Sequence, residues 1–218
     1  MDETAYLGAG FVRVEKSLNG LQALAADYRK SFRGTVVGIT GSSGKTTVKE
    51  WIAQTVPAGL NVFRSPRSYN SQLGVPLSIL MMTGSEDVAL IEAGISRPGE
   101  MERLAAMIRP DVGRFTSLGP EHGENFQTDK QKIREKALLF ASCRKVIFSS
   151  GDALVDETLR AKAPDAELID AKPFAEQLMD ETDEVTRRNK SLVAAFYDVM
   201  GRQVAGILTE LRGPHPWA

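Results

Sequence analysis

The sequence has 218 residues, 42% hydrophobic and 25% charged, which is ordinary for a globular protein and enough to bury a sizeable core. Its formal net charge of −1 gives no electrostatic reason to expect nucleic acid or an anionic membrane surface as the main partner. The single cysteine, Cys143, leaves no internal disulfide to form, and acidic Asp2 and Glu3 stand where a secretion leader would be basic and apolar, so the expectation is a cytoplasmic protein.

Between residues 14 and 32, Leu18, Leu21, Leu24 and Tyr28 recur at spacings of three or four, which predicts a helix with one apolar face. Gly34 ends it. The β-branched run TVVGIT follows as a buried strand, then a Gly/Ser turn and a second helix over 46–54. Strand-like stretches come at 61–64, 88–93, 112–117 and 145–148, alternating with helical ones at 73–82, 99–108 and 130–141. The longest mostly apolar stretch, 75–82, is far too short to span a bilayer. Strand alternating with helix means right-handed βαβ units, hence an α/β fold with a mostly parallel sheet flanked by helices. Beyond Gly151 the pattern weakens to a helix over 153–162, a short strand at 167–169 and a helix from 184 to about 200, striped by Leu192, Ala195, Phe196 and Val199. The tail 211–218 is turn-rich and reads as frayed. The expected division is a linker and helix over 1–33, one α/β domain over 34–212, and a tail over 213–218.

The strongest local signal is Gly38-Ile-Thr-Gly-Ser-Ser-Gly-Lys-Thr-Thr47, set between a predicted strand and a predicted helix. Gly41 and Gly44 let the backbone curl so that the N–H groups of Ser42, Ser43 and their neighbours converge on one anion, and the helix adds its positive end. Lys45 can reach the β- and γ-phosphates of a nucleotide, and the Thr46 hydroxyl, beside Thr47, can bind a bridging Mg²⁺. The common phosphate-loop pattern has glycine at position 39, where this chain has Ile39. Other residues read less sharply. Glu92 closes a hydrophobic strand and emerges at its carboxyl end, as a metal ligand or as an ordinary capping glutamate. A lone loop histidine such as His122 is more often ordinary than a ligand. Lys136 lies in a helix crowded with charge, one turn from Lys132, and on its own reads as part of a solvated face. Asn189 sits where helix-start asparagines are common.

The short loop T-G-S-S-G-K-T-T resembles that of the Mur ligases and their folylpolyglutamate synthetase relatives. Four further segments match in order: SPRSYNSQLGVP (65–76), IEAGISRPG (91–99), TSLGPEHGENF (116–126) and REKALLF (134–140). They are most similar to the D-alanyl-D-alanine-adding type, especially the form fused to an alanine racemase. The resemblance covers about 14–150 well and 184–201 more loosely. It implies a P-loop-like central domain that binds ATP and Mg²⁺, with Glu92 and His122 as metal ligands and Lys136 as the lysine that this family carbamylates to hold a metal. It implies that Asn189 reads the adenine, with Asn70 positioning nucleotide or substrate. The implied reaction converts a carboxylate into an acyl phosphate, which an amine then displaces. The partners would be UDP-N-acetylmuramoyl-tripeptide and D-alanyl-D-alanine. Against the family the stretch between 152 and 189 looks short, and segments for the UDP-sugar and amino substrate are missing, so this chain alone is expected to be inactive. The alternatives are a folylpolyglutamate- or cyanophycin-synthetase-like ligase, or a nucleotide-binding module without catalysis.

Overall fold

In the computed structural model, which describes residues 13–57, 59–119, 125–179, 181–202 and 206–207, the run TVVGIT forms β1 (Thr35–Thr40) at the middle of a six-stranded parallel sheet. The other strands are β2 (Val62–Arg64), β3 (Val88–Glu92), β4 (Val112–Phe115), β5 (Lys145–Phe148) and β6 (Glu167–Asp170), in the order β2-β3-β1-β4-β5-β6. Successive side chains on a strand point to opposite faces, so a sheet covered on both sides needs apolar residues at both parities. β1 supplies Val36 to one face and Val37 and Ile39 to the other, and β3 likewise divides Ala89 and Ile91 from Val88 and Leu90.

One face is covered by α1 (Ser17–Ser31), α3 (Gly74–Leu80), α4 (Glu100–Ile108), α5 (Asp129–Ala137) and α6 (Ala153–Lys162). The other is covered by α2 (Lys45–Gln54), α7 (Lys172–Glu176) and α8 (Glu184–Val199). From β1 the chain goes out to β2 and returns through β3, then crosses to β4, β5 and β6. The carboxyl end of β1 therefore lies where strand order reverses, the place where ligand crevices open in such sheets.

Several boundaries differ from the sequence reading for physical reasons. The helix expected over 130–141 is α-helical only to Ala137, then tightens to a 3₁₀ turn at Leu138–Phe140 that drops Leu139 and Phe140 into the core. The strand expected over 112–117 stops at Phe115, because Thr116 and Ser117 turn their hydroxyls to the loop after β1. The five-residue α7 was not expected; it is too short for periodicity to show, although Pro173 sits in its first turn. The expected tail at 211–218 lies outside the described residues.

Candidate functional site

The turn between β1 and α2 depends on two glycines. Gly41 (φ 146°) and Gly44 (φ 80°) occupy conformations that side chains resist. A Cβ on Gly41 would run into Thr116 Oγ1, and one on Gly44 would stand 2.7 Å from Asn189 Oδ1. Thr128, Asp152 and Asp183 cap α5, α6 and α8 with their side chains, but α2 starts at Gly44 without a side-chain cap. Its first N–H groups and its positive dipole end therefore face the cleft. The segment after β4 braces the turn from behind: Ser42 N donates to Ser117 O (2.7 Å), Ser43 N to Ser117 Oγ (3.1 Å), and Thr116 Oγ1 to Ser43 O (2.6 Å). Thr116 and Ser117 had passed for strand residues; a hydroxyl pair directly after a strand was the available signal.

Two lysines from different helices converge on this turn. Lys45 Nζ donates to Gly41 O (2.9 Å) and Ser42 O (2.8 Å), while Lys136 Nζ, from α5, donates to the same Gly41 carbonyl (2.9 Å). Both border a cavity of about 290 Å³ lined also by Asn70, Gly94 and Glu100. The solvated-face reading of α5 is wrong. Lys132 and Lys136 are each 1% exposed, because the helix docks on the face carrying Ile133 and Ala137. The two lysines also part company. Lys132 donates to Gly119 O on the segment after β4, and Lys136 is the one that reaches the loop.

Glu92, 1% exposed, ends β3 beside the turn. Its Oε2 accepts from the Thr46 hydroxyl (2.8 Å) and its Oε1 from Asn70 Nδ2 (2.7 Å). An open cleft of about 680 Å³ joins Ser42–Thr47 with Ser68, Asn70 and Glu92. This donor set fits Mg²⁺. Thr46 and Glu92 are adjacent hard oxygens, and magnesium commonly takes one or two protein oxygens, completing its shell with water and phosphate. Among the described residues no group of three His, Cys, Asp or Glu gathers as a metal cage. His122 lies outside the described residues. Asn189, 4% exposed, packs against Gly44 on the α8 side, and its Oδ1 has no hydrogen-bond donor among the described residues. A buried acceptor without a donor is costly unless something else supplies one. Thr47 is exposed at the cleft rim.

The reading of the sequence missed Lys49. It lies one turn beyond Lys45 on α2, is wholly buried, and stands 3.5 Å from Glu92 Oε2.

Comparison with known proteins gives consistent matches. The Mur ligase middle domain family matches residues 39–215. The UDP-N-acetylmuramoyl-tripeptide–D-alanyl-D-alanine ligase of Treponema pallidum is 36% identical over 135 residues, covering 62% of this chain and 29% of that protein. A crystal structure of MurF from Acinetobacter baumannii superposes with a TM-score of 0.80 at 19% identity, covering 94% of this chain and 51% of that one. MurF of Thermotoga maritima, solved with ADP, is 32% identical with a TM-score of 0.63, covering 72% and 37%. The chain thus spans less than a third of the Treponema relative's length and about half of the Acinetobacter chain.

Proposed function

Because this chain belongs to the Mur ligase family through its middle domain, we propose that it is the ATP-binding part of an ATP-dependent carbon–nitrogen ligase of peptidoglycan precursor synthesis. The full reaction would join D-alanyl-D-alanine to UDP-N-acetylmuramoyl-tripeptide. The observation that carries the reading is the Thr46–Glu92 hydrogen bond (2.8 Å) beside a positive-φ glycine turn on which Lys45 and Lys136 converge.

In this proposal the amides of Gly44 through Thr47 cradle the polyphosphate, since Ser42 N and Ser43 N are engaged by Ser117, and Lys45 leaves the loop carbonyls to meet the β- and γ-phosphates. Thr46 and Glu92 would hold Mg²⁺, which when bound neutralises charge on the phosphate oxygens. Lys136, carbamylated, and His122 would serve a second magnesium. Asn189 would read the adenine, and Asn70 would position Glu92 and the incoming acid. The substrate carboxylate attacks the γ-phosphorus and ADP leaves. The amine of D-alanyl-D-alanine then attacks the acyl carbon, and phosphate leaves as the amide forms. A cytoplasmic setting, where ATP is available, goes with this reading. Among the described residues no helix is long and apolar enough to cross a membrane.

Titration calorimetry with Mg·ATP tests the nucleotide site. Lys45→Ala is expected to weaken binding by about 1.5–3 kcal/mol, the worth of a charged hydrogen bond. Equal affinity of the two proteins would overturn the assignment.

A further inference from the structure

Lys49 has no role in the reaction as proposed, yet its surroundings are hard to explain as packing. Four residues after Lys45 and three after Thr46, it shares their face of α2 one turn deeper into the fold. Its exposure is 0%. Burying an ammonium is expensive unless every proton finds an acceptor, and an aliphatic residue would fill the same space at lower cost. Here the acceptors are specific. Nζ donates to Ser65 O (2.8 Å) and Arg67 O, and stands 3.5 Å from both Glu92 Oε2 and Glu50 Oε1. Lys49 therefore joins three pieces of chain: α2, the connection from β2 to α3, and the end of β3.

The same connection holds Glu92 in two further ways. Ser65 Oγ accepts from Glu92 N (3.2 Å), and Asn70 Nδ2 donates to Glu92 Oε1 (2.7 Å). Thr46 occupies the other oxygen, Oε2 (2.8 Å). With its hydrogen spent on Glu92, the Thr46 hydroxyl turns its lone pairs elsewhere, which is the orientation a cation in the cleft requires. That orientation lasts only while Glu92 stays where it is. Lys49 grips both the carboxylate and the backbone of the segment that ends in Asn70.

We infer that Lys49 is a positioning residue of the metal centre: it fixes the Glu92 carboxylate and the Asn70-bearing segment so that Mg²⁺ arriving with nucleotide meets two protein oxygens already aimed. The inference rests on the nucleotide and metal reading above, and it assigns Lys49 no contact with ATP. Its signature is a selective loss. Removing Lys49 should spare the phosphate loop and remove the part of the affinity that magnesium supplies.

The test measures ATP binding to the 218-residue chain by calorimetry, once with magnesium and once with a chelator, for wild type, Lys49→Met, Glu92→Gln and the double variant. Thermal melts check that each is folded. Lys49→Met is expected to keep its magnesium-free affinity within about twofold and to lose about tenfold or more of the magnesium-dependent gain, where tenfold corresponds to about 1.4 kcal/mol. Because Lys49 acts through Glu92, the double variant should lose no more of that gain than Glu92→Gln alone. A wild-type magnesium gain in Lys49→Met, an equal loss with and without magnesium, or losses that add would each overturn the inference. If Lys49→Met does not fold, a wild-type structure with magnesium and a non-hydrolysable ATP analogue decides. Lys49 Nζ should remain within about 4 Å of Glu92, near ion-pair contact, and a Lys49 turned away would be the contrary result. Failure of wild type to bind ATP at all would remove the nucleotide reading itself, whereas an unaltered magnesium gain in Lys49→Met would remove only the role of Lys49.

Discussion

Arg114 is fully buried in β4, and none of its guanidinium nitrogens has an acceptor among the described residues. Its guanidinium carbon stands 5.5 Å from the centroid of the Phe196 ring. Burial pushes its pKa down to about 9, with the Tyr197 phenol opposing. A buried charge without an anion is poor value for stability, and apolar replacements of similar volume are often neutral or better. Arg114→Met should therefore leave the denaturant midpoint unchanged or raise it. A loss of about 3 kcal/mol or more, the range for breaking a buried ion pair, would mean that an acceptor beyond the described residues holds it. Arg114 and the buried lysines also show what the sequence withheld. Lys45 and Lys49 on α2, and Lys132 and Lys136 on α5, are spaced four apart and flank the aliphatic pairs Val48/Ile52 and Ile133/Ala137. That spacing puts cation and aliphatic on one face. Charge was read as a sign of solvent, so the burial of Lys49, Lys132 and Lys136 went unseen until tertiary contacts placed Ser65 O, Gly119 O and Gly41 O opposite them. The loop Gly41–Thr47 and the strand-end Glu92 were legible because glycine placement and strand polarity are local properties.

At the scale of elements, the strand–helix alternation came through because each strand is a hydrophobic run between turn formers, while boundaries moved wherever a side chain had a competing partner. β6 shows such a partner. It is an edge strand whose last residue, Asp170, reaches back to β5's exit: Ser150 Oγ donates to Oδ2 (2.5 Å), and the Ser150 and Lys172 amides donate to Oδ1 (both 2.9 Å). Desolvation pushes the Asp170 carboxyl up, but the Ser150 hydroxyl and amide, the Lys172 amide and the Lys172 charge outweigh it, so its pKa ends below the ordinary aspartate value. A carboxylate with a depressed folded pKa contributes stability that is present above its unfolded pKa of about 4 and lost as pH falls through the folded value. Asp170→Asn should thus lower the melting temperature near pH 7 and have a shrinking effect below pH ~4. A penalty independent of pH would show that shape, not charge, ties β6 to the sheet.

For the whole molecule, the two halves of the proposed reaction separate. The nucleotide elements meet at one sheet edge, but the chain spans 29% of the Treponema ligase. Ligases gain much of their rate by holding reactants together. Incubated with ATP, UDP-N-acetylmuramoyl-tripeptide and D-alanyl-D-alanine, this chain is expected to bind nucleotide yet release no substrate-dependent phosphate and form no amide by mass spectrometry. Turnover would show that acid and amine sites lie within these 218 residues. The cluster at the sheet edge has a thermal consequence as well. Lys45, Lys49, Lys132 and Lys136 are all under 10% exposed there, close to the buried carboxylate of Glu92. Lys45 among them lines the cleft, so a polyanion bound there, as proposed above, would add its binding energy to the stability of the fold. A ligand at a hundred times its Kd adds about 2.7 kcal/mol to folding stability, which for a chain of this size raises the melting point by roughly 5–11 °C. Under the proposed nucleotide reading, the melting point of this chain is expected to climb with added Mg·ATP, and one that stays put at saturating nucleotide would contradict that reading.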